Sequence, residues 1–169
     1  MKLAWMLLAL CLVACSPGND EPDYTLYLVR HGEKLAGEDP ELTIAGHTRA
    51  ARLAGWLESH PVSAVWSSNT RRTMQTAAPA QAALGVPIQR YDAANLGALA
   101  SALRDAGQDA LVVGHSNTTP QLAALLCSCE VPEIDDAEYN RLLVLRVHGD
   151  EVRLETLDQR EVFGEGGKR

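Results

Sequence analysis

The sequence has no apolar run long enough to cross a membrane as a helix, and it is short of basic residues. The run from Leu3 to Val13 is about half of the roughly 20 residues that a spanning helix needs. The 15 lysines and arginines are outnumbered by 22 aspartates and glutamates, which gives a net charge of −7 at pH 7. Because nucleic-acid binding calls for a basic face, this balance argues against a nucleic-acid partner. It also argues against electrostatic attraction of the protein to a membrane surface.

The sequence also has no internal repeat, and its 169 residues leave room for one domain. With 46% hydrophobic and 22% charged residues, its composition is that of an ordinary globular protein rather than a disordered one. We therefore expect a single folded domain over residues 24–163, followed by a flexible tail over residues 164–169.

The first 23 residues differ from the rest. Lys2 and the apolar run after it predict an export signal over residues 1–14. Leu12-Val13-Ala14-Cys15 resembles a bacterial lipobox, which implies that Cys15 is acylated and becomes the mature N-terminus. Several acyl chains are what stable anchoring requires. A plain secretory signal with an incidental Cys15 is the alternative. The polar stretch up to Asp23 then predicts a tether.

This signal predicts an exported protein, anchored by lipid to a bacterial cell membrane. If the source has two membranes, Ser16 after the cysteine favours the outer membrane facing the periplasm. Cys127 and Cys129 are then the cysteines left in the domain. They could form a disulfide in an oxidising compartment, or be two small residues that end a helix. No histidine or further cysteine is near them in sequence, which argues against a structural zinc site.

From Tyr24 onward, short apolar runs alternate with longer amphipathic ones. The pattern predicts strands over Tyr24–Arg30, Val62–Ser67, Pro87–Asp92, Ala110–Val113, Arg141–His148 and Glu151–Asp158. It predicts helices over Thr43–His60, from about Arg71 to Leu84, over Asn95–Ala106 and over Thr119–Cys127. The last two strands should form a hairpin at Gly149-Asp150. This alternation predicts an α/β fold, a three-layer sandwich with a mostly parallel central sheet and a C-terminal β-hairpin.

Two histidines follow predicted strand ends, in Arg30-His31-Gly32 and Gly114-His115-Ser116. Ligands of such sheets bind beyond the carboxyl ends of the strands, so both histidines should lie at the functional edge. Either one alone could be a structural histidine.

Three motifs in order resemble the histidine phosphatase superfamily, which includes phosphoglycerate mutases and small bacterial phosphohistidine phosphatases. They are Leu28-Val29-Arg30-His31-Gly32-Glu33, the segment from Ser67 to Ala77, and Val112-Val113-Gly114-His115-Ser116. The resemblance implies a metal-independent phosphatase without a cofactor, acting on a small phosphorylated molecule or a phosphohistidine protein.

The resemblance implies a role for each motif residue. His31 would be the nucleophile that forms a phosphohistidine intermediate. Neighbouring guanidinium charges would lower the pKa of its imidazole and keep the free ring neutral. Arg30 and Arg72 would grip the phosphate with bidentate forks, and His115 would donate a hydrogen bond to it. Arg71 and Arg72 point about 100° apart on a helix, so only one enters the site. The family's spacing selects Arg72.

The resemblance also implies an acid that protonates the leaving group. Asp92, after the third strand, is the first candidate and Glu33 the second. Asp92 could equally cap a turn, and small phosphohistidine phosphatases can lack such an acid. The loop from Glu33 to Gly37 lacks the asparagine of the mutase branch, which argues against mutase activity.

Two other functions compete with the phosphatase. One is a non-catalytic, lipid-anchored module that binds phospho-ligands in a retained pocket. The other makes His31, His115 and Asp92 the ligands of a metal ion.

Overall fold

A computed structural model describes residues 21–164. The predicted signal, Cys15 and most of the tether lie outside these residues, as do residues 165–169 of the predicted tail. No helix in the described part of the chain is long and apolar enough to cross a membrane.

Six strands form one sheet in the order β3-β2-β4-β1-β5-β6. Strands β3, β2, β4 and β1 run parallel to one another, whereas β5 pairs antiparallel with both β1 and β6. This confirms the α/β fold with its mostly parallel sheet and C-terminal hairpin. The strands are β1 (Tyr24–Arg30), β2 (Ala64–Ser68), β3 (Ile88–Tyr91), β4 (Ala110–Gly114), β5 (Arg141–His148) and β6 (Glu151–Asp158).

Helices cover both faces of the sheet, because the central strands are apolar on both sides. The helices are α1 (Ile44–Leu57), α2 (Arg71–Leu84), α3 (Leu96–Ala106), α4 (Thr118–Cys127) and α5 (Gln159–Val162). Leu26 and Leu28 of β1 belong to a core cluster with α3 and α4, while Tyr27 and Val29 belong to a second cluster with α1 and α2. Burial of both faces is typical of parallel strands in such sandwiches.

The helix ends follow their capping residues. The Thr43 hydroxyl accepts the Gly46 N–H at the start of α1, and Gly85 ends α2 in the left-handed conformation with φ 69°. Helix α1 ends at Leu57 and not at His60 as predicted, because Ser59 N–H turns back to the Trp56 carbonyl in a tighter loop. Helix α5 was not predicted from the sequence.

Cys127 ends α4, and it forms a disulfide with Cys129. The open question from the sequence is thus answered by both alternatives at once: the cysteines end a helix, and they are bonded to each other. Between them Ser128 adopts a positive φ of 53°. The 128–140 loop begins here and leads to β5.

Candidate active site

The carboxyl ends of β1 and β4 bring the two histidine motifs together. The strands are neighbours with Arg30 opposite Gly114, and His31 N–H donates to the Gly114 carbonyl at 2.9 Å. The His31 and His115 rings are consequently 5.6 Å apart, centroid to centroid. His31 is 2% exposed, so this strand end is deeply enclosed.

Gly32 allows the chain after His31 to pack against α1. A Cβ on Gly32 would lie 2.8 Å from the Gly46 carbonyl oxygen, and a Cβ on Gly46 would lie 2.2 Å from the Glu33 carbonyl oxygen. No side chain fits at either position. The Gly32 N–H donates to Thr76 Oγ1 of α2 at 3.0 Å, which fixes the backbone beside His31.

The hydrogen bond from the His31 ring determines which nitrogen is free. Nδ1 lies 2.8 Å from the Gly32 carbonyl oxygen, which can only accept, so Nδ1 carries the proton and donates. In the neutral ring Nε2 then holds the lone pair. Burial is the largest cause that lowers the pKa of His31, to about 4, and the charges of Arg30 and Arg72 act in the same direction against the Gly32 bond. The His31 ring is therefore neutral at physiological pH and keeps a lone pair on Nε2.

His115 is held between α2 and β2. Its Nδ1 lies 3.3 Å from Arg72 Nη2, which can only donate, so Nδ1 accepts and Nε2 carries the proton to the Ser68 hydroxyl at 2.9 Å. Burial and then the charges of Arg72 and Arg30 lower the pKa of His115 to about 4. Both site histidines are thus uncharged, and the positive charge there comes from the arginines.

Arg30 is fixed by the 128–140 loop. Its Nη1 donates to the carbonyl oxygens of Asp135, Asp136 and Glu138 at 2.9 to 3.0 Å. The guanidinium carbon lies 4.2 Å from the centre of the Tyr139 ring, a cation–π contact. The Arg30 side chain is 4% exposed, and its Nε has no hydrogen-bond partner among the described residues.

The register of α2 separates Arg72 from Arg71. Arg72, which is 20% exposed, lies beside His115, and its buried Nε has no partner within the described residues. Arg71 is 57% exposed and pairs with Glu41 at 3.4 Å. Arg72 is in the first turn of α2, where the helix end favours an anion.

Neither of the two acid candidates from the sequence contacts the histidines. The Asp92 carboxylate is exposed and accepts the Ala94 N–H at 2.9 Å, which is the turn-capping alternative. The Glu33 carboxylate takes three hydrogen bonds from Arg49, the shortest 2.6 Å. Burial raises the pKa of Glu33, but the Arg49 bonds and charges lower it by more, so Glu33 stays ionised.

Two other carboxylates contact the arginines and were missed from the sequence. Asp39 Oδ1 lies 3.6 Å from Arg72 Nη1, and Asp136 Oδ1 lies 3.5 Å from Arg30 Nη2. Asp136 also accepts the Ser116 hydroxyl at 3.0 Å. No local sequence pattern distinguishes them, because they reach the site only through the folding of separate loops.

The arrangement suits an anion with tetrahedral oxygens. Two guanidinium groups, each with a buried N–H that has no partner among the described residues, act on a neutral histidine that keeps a lone pair on Nε2. Within residues 21–164 no group of three or more His, Cys, Asp and Glu side chains is placed to hold a metal ion. In-line phosphoryl transfer needs a nucleophile and positive groups around the equatorial oxygens, and these are the groups present.

Comparisons with known proteins agree with this chemistry. Residues 26–95 match the family model of the histidine phosphatase superfamily, branch 1. No curated protein matches the chain.

Solved structures share the fold. The protein histidine phosphatase SixA, complexed with tungstate, is 18% identical with a TM-score of 0.67, covering 82% of this chain and 99% of its own. A putative alpha-ribazole-5′-P phosphatase from Escherichia coli K-12 is 17% identical with a TM-score of 0.67, over 81% and 97%. A mycobacterial glucosyl-3-phosphoglycerate phosphatase is 17% identical with a TM-score of 0.64, over 78% and 96%. Residues 26–95 therefore resemble the histidine phosphatase superfamily, and the chain shares the fold of these solved structures.

Proposed function

We propose that the protein is a phosphatase that transfers a phosphoryl group from a phosphomonoester or a phosphohistidine to His31 Nε2, and then to water. The family match and the phosphatases among its structural neighbours support this enzyme class. The observation that carries the proposal is the Nδ1–H hydrogen bond of His31 to Gly32, which leaves Nε2 of a neutral ring as the nucleophile.

The first step forms a bond between His31 Nε2 and phosphorus while the bond from phosphorus to the leaving oxygen or nitrogen breaks. The leaving atom takes the bonding electron pair and gains a proton from solvent water, because neither Asp92 nor Glu33 is placed to supply it. Arg30 and Arg72 hold the equatorial oxygens, whose charge their guanidinium groups offset. In the second step water attacks phosphorus, the bond to Nε2 breaks, and inorganic phosphate leaves as the neutral ring is restored. The chain's own groups supply the nucleophile and the positive charges around the phosphoryl oxygens, and neither proposed step passes through a metal ion.

A direct test is turnover of an aryl phosphate by the purified protein, with and without exhaustive chelation. We expect turnover in proportion to protein concentration, unchanged by the chelator. Absence of turnover with tight phosphate binding would favour the non-catalytic module. Loss of activity on chelation, restored by a metal ion, would favour the metal site of His31, His115 and Asp92.

We further propose that the domain is exported and tethered to a membrane through lipid on Cys15. The described chain enters the sheet at Tyr24, and the site lies seven residues later, at the other end of β1. Cys15→Ser should move the protein out of the membrane fraction, and unchanged fractionation together with an unmodified N-terminal mass in the wild type would contradict the lipid anchor.

A further inference from the structure

A cavity adjoins the candidate phosphate site between the start of α4 and the 128–140 loop. Its volume is about 530 Å³, within the range of sites for small molecules. It begins at Ser116, the residue after His115, and at Asp136, whose carboxylate lies 3.5 Å from Arg30 Nη2. We call it the α4 cavity.

The α4 cavity and Arg30 are both in contact with the same two residues. Asp135 and Asp136 line the cavity, and their backbone carbonyls are two of the three that hold Arg30. Arg30 is almost fully buried at this wall and keeps an unpaired Nε. A phosphoryl group held by Arg30 therefore has the cavity beside it, where the rest of a substrate can lie.

The walls of the α4 cavity carry negative charge and no positive charge. Glu133, Asp135 and Asp136 line it, and its lining residues include no lysine, arginine or histidine. The Asp136 side chain is 92% exposed, so its carboxylate remains open to a ligand although it is near Arg30. Asn117 and Gln121 add polar side chains on the α4 side. Carboxylates in the cavity wall attract a cationic group of a ligand and repel an anionic one.

We propose that the α4 cavity binds the leaving group, and that the enzyme prefers small phosphate compounds whose leaving group carries a positive charge over those with a second acidic group. This inference rests on the proposed phosphatase function. It also fits the chemistry at the leaving atom, because neither Asp92 nor Glu33 is placed to protonate it. A cationic leaving group stabilises the developing negative charge itself and so needs less help from an acid.

Three substrates of similar size separate the charge from the shape: phosphoethanolamine with an ammonium group, propyl phosphate with no charge, and phosphoglycolate with a carboxylate. We expect kcat/KM to fall in that order, by roughly two- to fivefold at each step, as partly exposed charge pairs do. The difference should shrink as salt is raised from 20 to about 500 mM, because exposed charges are screened.

Two variants test the cavity walls. Glu133→Gln and Asp136→Asn should each lower the ratio of kcat/KM for phosphoethanolamine over phosphoglycolate by about two- to fivefold. Glu133→Gln is the cleaner variant, since Asp136 also contacts Arg30. The matched control is Glu58→Gln at the C-terminal cap of α1, at the far end of the sheet, which should leave the ratio unchanged.

The outcomes are distinct. Equal kcat/KM for all three substrates, a preference for phosphoglycolate, or an equal change in the Glu58→Gln control would overturn the charge preference while leaving the phosphatase function in place. Failure to hydrolyse any of the three substrates while an aryl phosphate is still turned over would overturn this inference alone, whereas failure on the aryl phosphate as well would overturn the proposed function and this inference with it.

Discussion

Residues 26–95 and the 128–140 loop contribute to the site in different ways. The first region matches the family model and contains His31, directly after β1, and Arg72, in the first turn of α2. The second lies outside the match, and it contributes backbone carbonyls, the Tyr139 ring and the Asp136 carboxylate around Arg30. The comparison indicates that the candidate nucleophile and Arg72 lie at strand and helix ends, whereas the loop holds Arg30 in place and lines the α4 cavity.

Replacing His31 should produce the largest effect. His31→Asn removes the nucleophilic nitrogen while preserving some of the side chain's volume, so we expect kcat to fall by roughly 10⁴-fold or more. The control is His47→Ala on the exposed face of α1, which should have wild-type activity. Steady-state turnover measures the effect, and a thermal melt of both variants shows that the domain is folded. Substantial activity in His31→Asn would show that the nucleophile is not His31.

Replacing Arg72 should have the next largest effect. Arg72→Ala should lower kcat/KM by about 10² to 10³-fold, as removal of one preorganised group at the reacting centre does. Its neighbour offers the matched control, since Arg71→Ala breaks only an exposed ion pair and should change kcat/KM by less than about twofold. If Arg71→Ala proved the more damaging, the register of α2 would be wrong.

Replacing Tyr139 in the 128–140 loop should lower kcat/KM by less, because the residue acts only through its contact with Arg30. Tyr139→Leu removes the ring below the Arg30 guanidinium, and a desolvated cation–π contact of about 2 kcal/mol gives a loss of up to roughly 30-fold in kcat/KM. Tyr139→Phe keeps the ring and should restore activity to within about threefold of wild type. A general structural role of Tyr139 would instead make the two variants equally defective and lower both melting temperatures.

The pH dependence should show the smallest effect over the ordinary range. Since the pKa of His31 is about 4, the ring is neutral above that value, and at pH 5 only about one tenth of it is protonated. The imidazole signals of the free protein, followed by NMR, should therefore titrate near pH 4. The pKa of His115 is also about 4, so its ring should titrate over the same range. A midpoint near the ordinary 6.5 would contradict the enclosed, arginine-flanked site.

The same two regions show how far the sequence could predict the structure. The strand end at Arg30 and the caps at Thr43 and Gly85 follow from local periodicity and capping chemistry, and the structure has them there, whereas β4 ends at Gly114, one residue after the predicted Val113. The acid candidate Asp92 followed from its strand-end position alone, yet its carboxylate caps a local turn. Nothing local marked Asp136, because its contact with Arg30 joins residues 106 positions apart through an irregular loop.

The loop geometry is set by tertiary contacts rather than by pattern. Three of its carbonyls gather on one buried guanidinium, and the loop is held at its other side by Arg141, which donates to the Glu138 carboxylate and the Pro132 carbonyl. Such contacts cannot be read from hydrophobic periodicity. Helix α5 was missed for a similar reason: Gln159, 1% exposed, is buried through hydrogen bonds to the backbone of Asn140 and Arg141.

In the proposed reaction, His31 carries the phosphoryl group between the two steps. The most direct test of this role is to denature the protein in alkali during turnover, since phosphohistidine is lost in acid, and to locate the phosphate by peptide mass spectrometry. We predict phosphate on the peptide that contains His31, absent in His31→Asn. Phosphate on another residue such as Ser116, or turnover in His31→Asn with a phosphorylated intermediate elsewhere, would contradict the account.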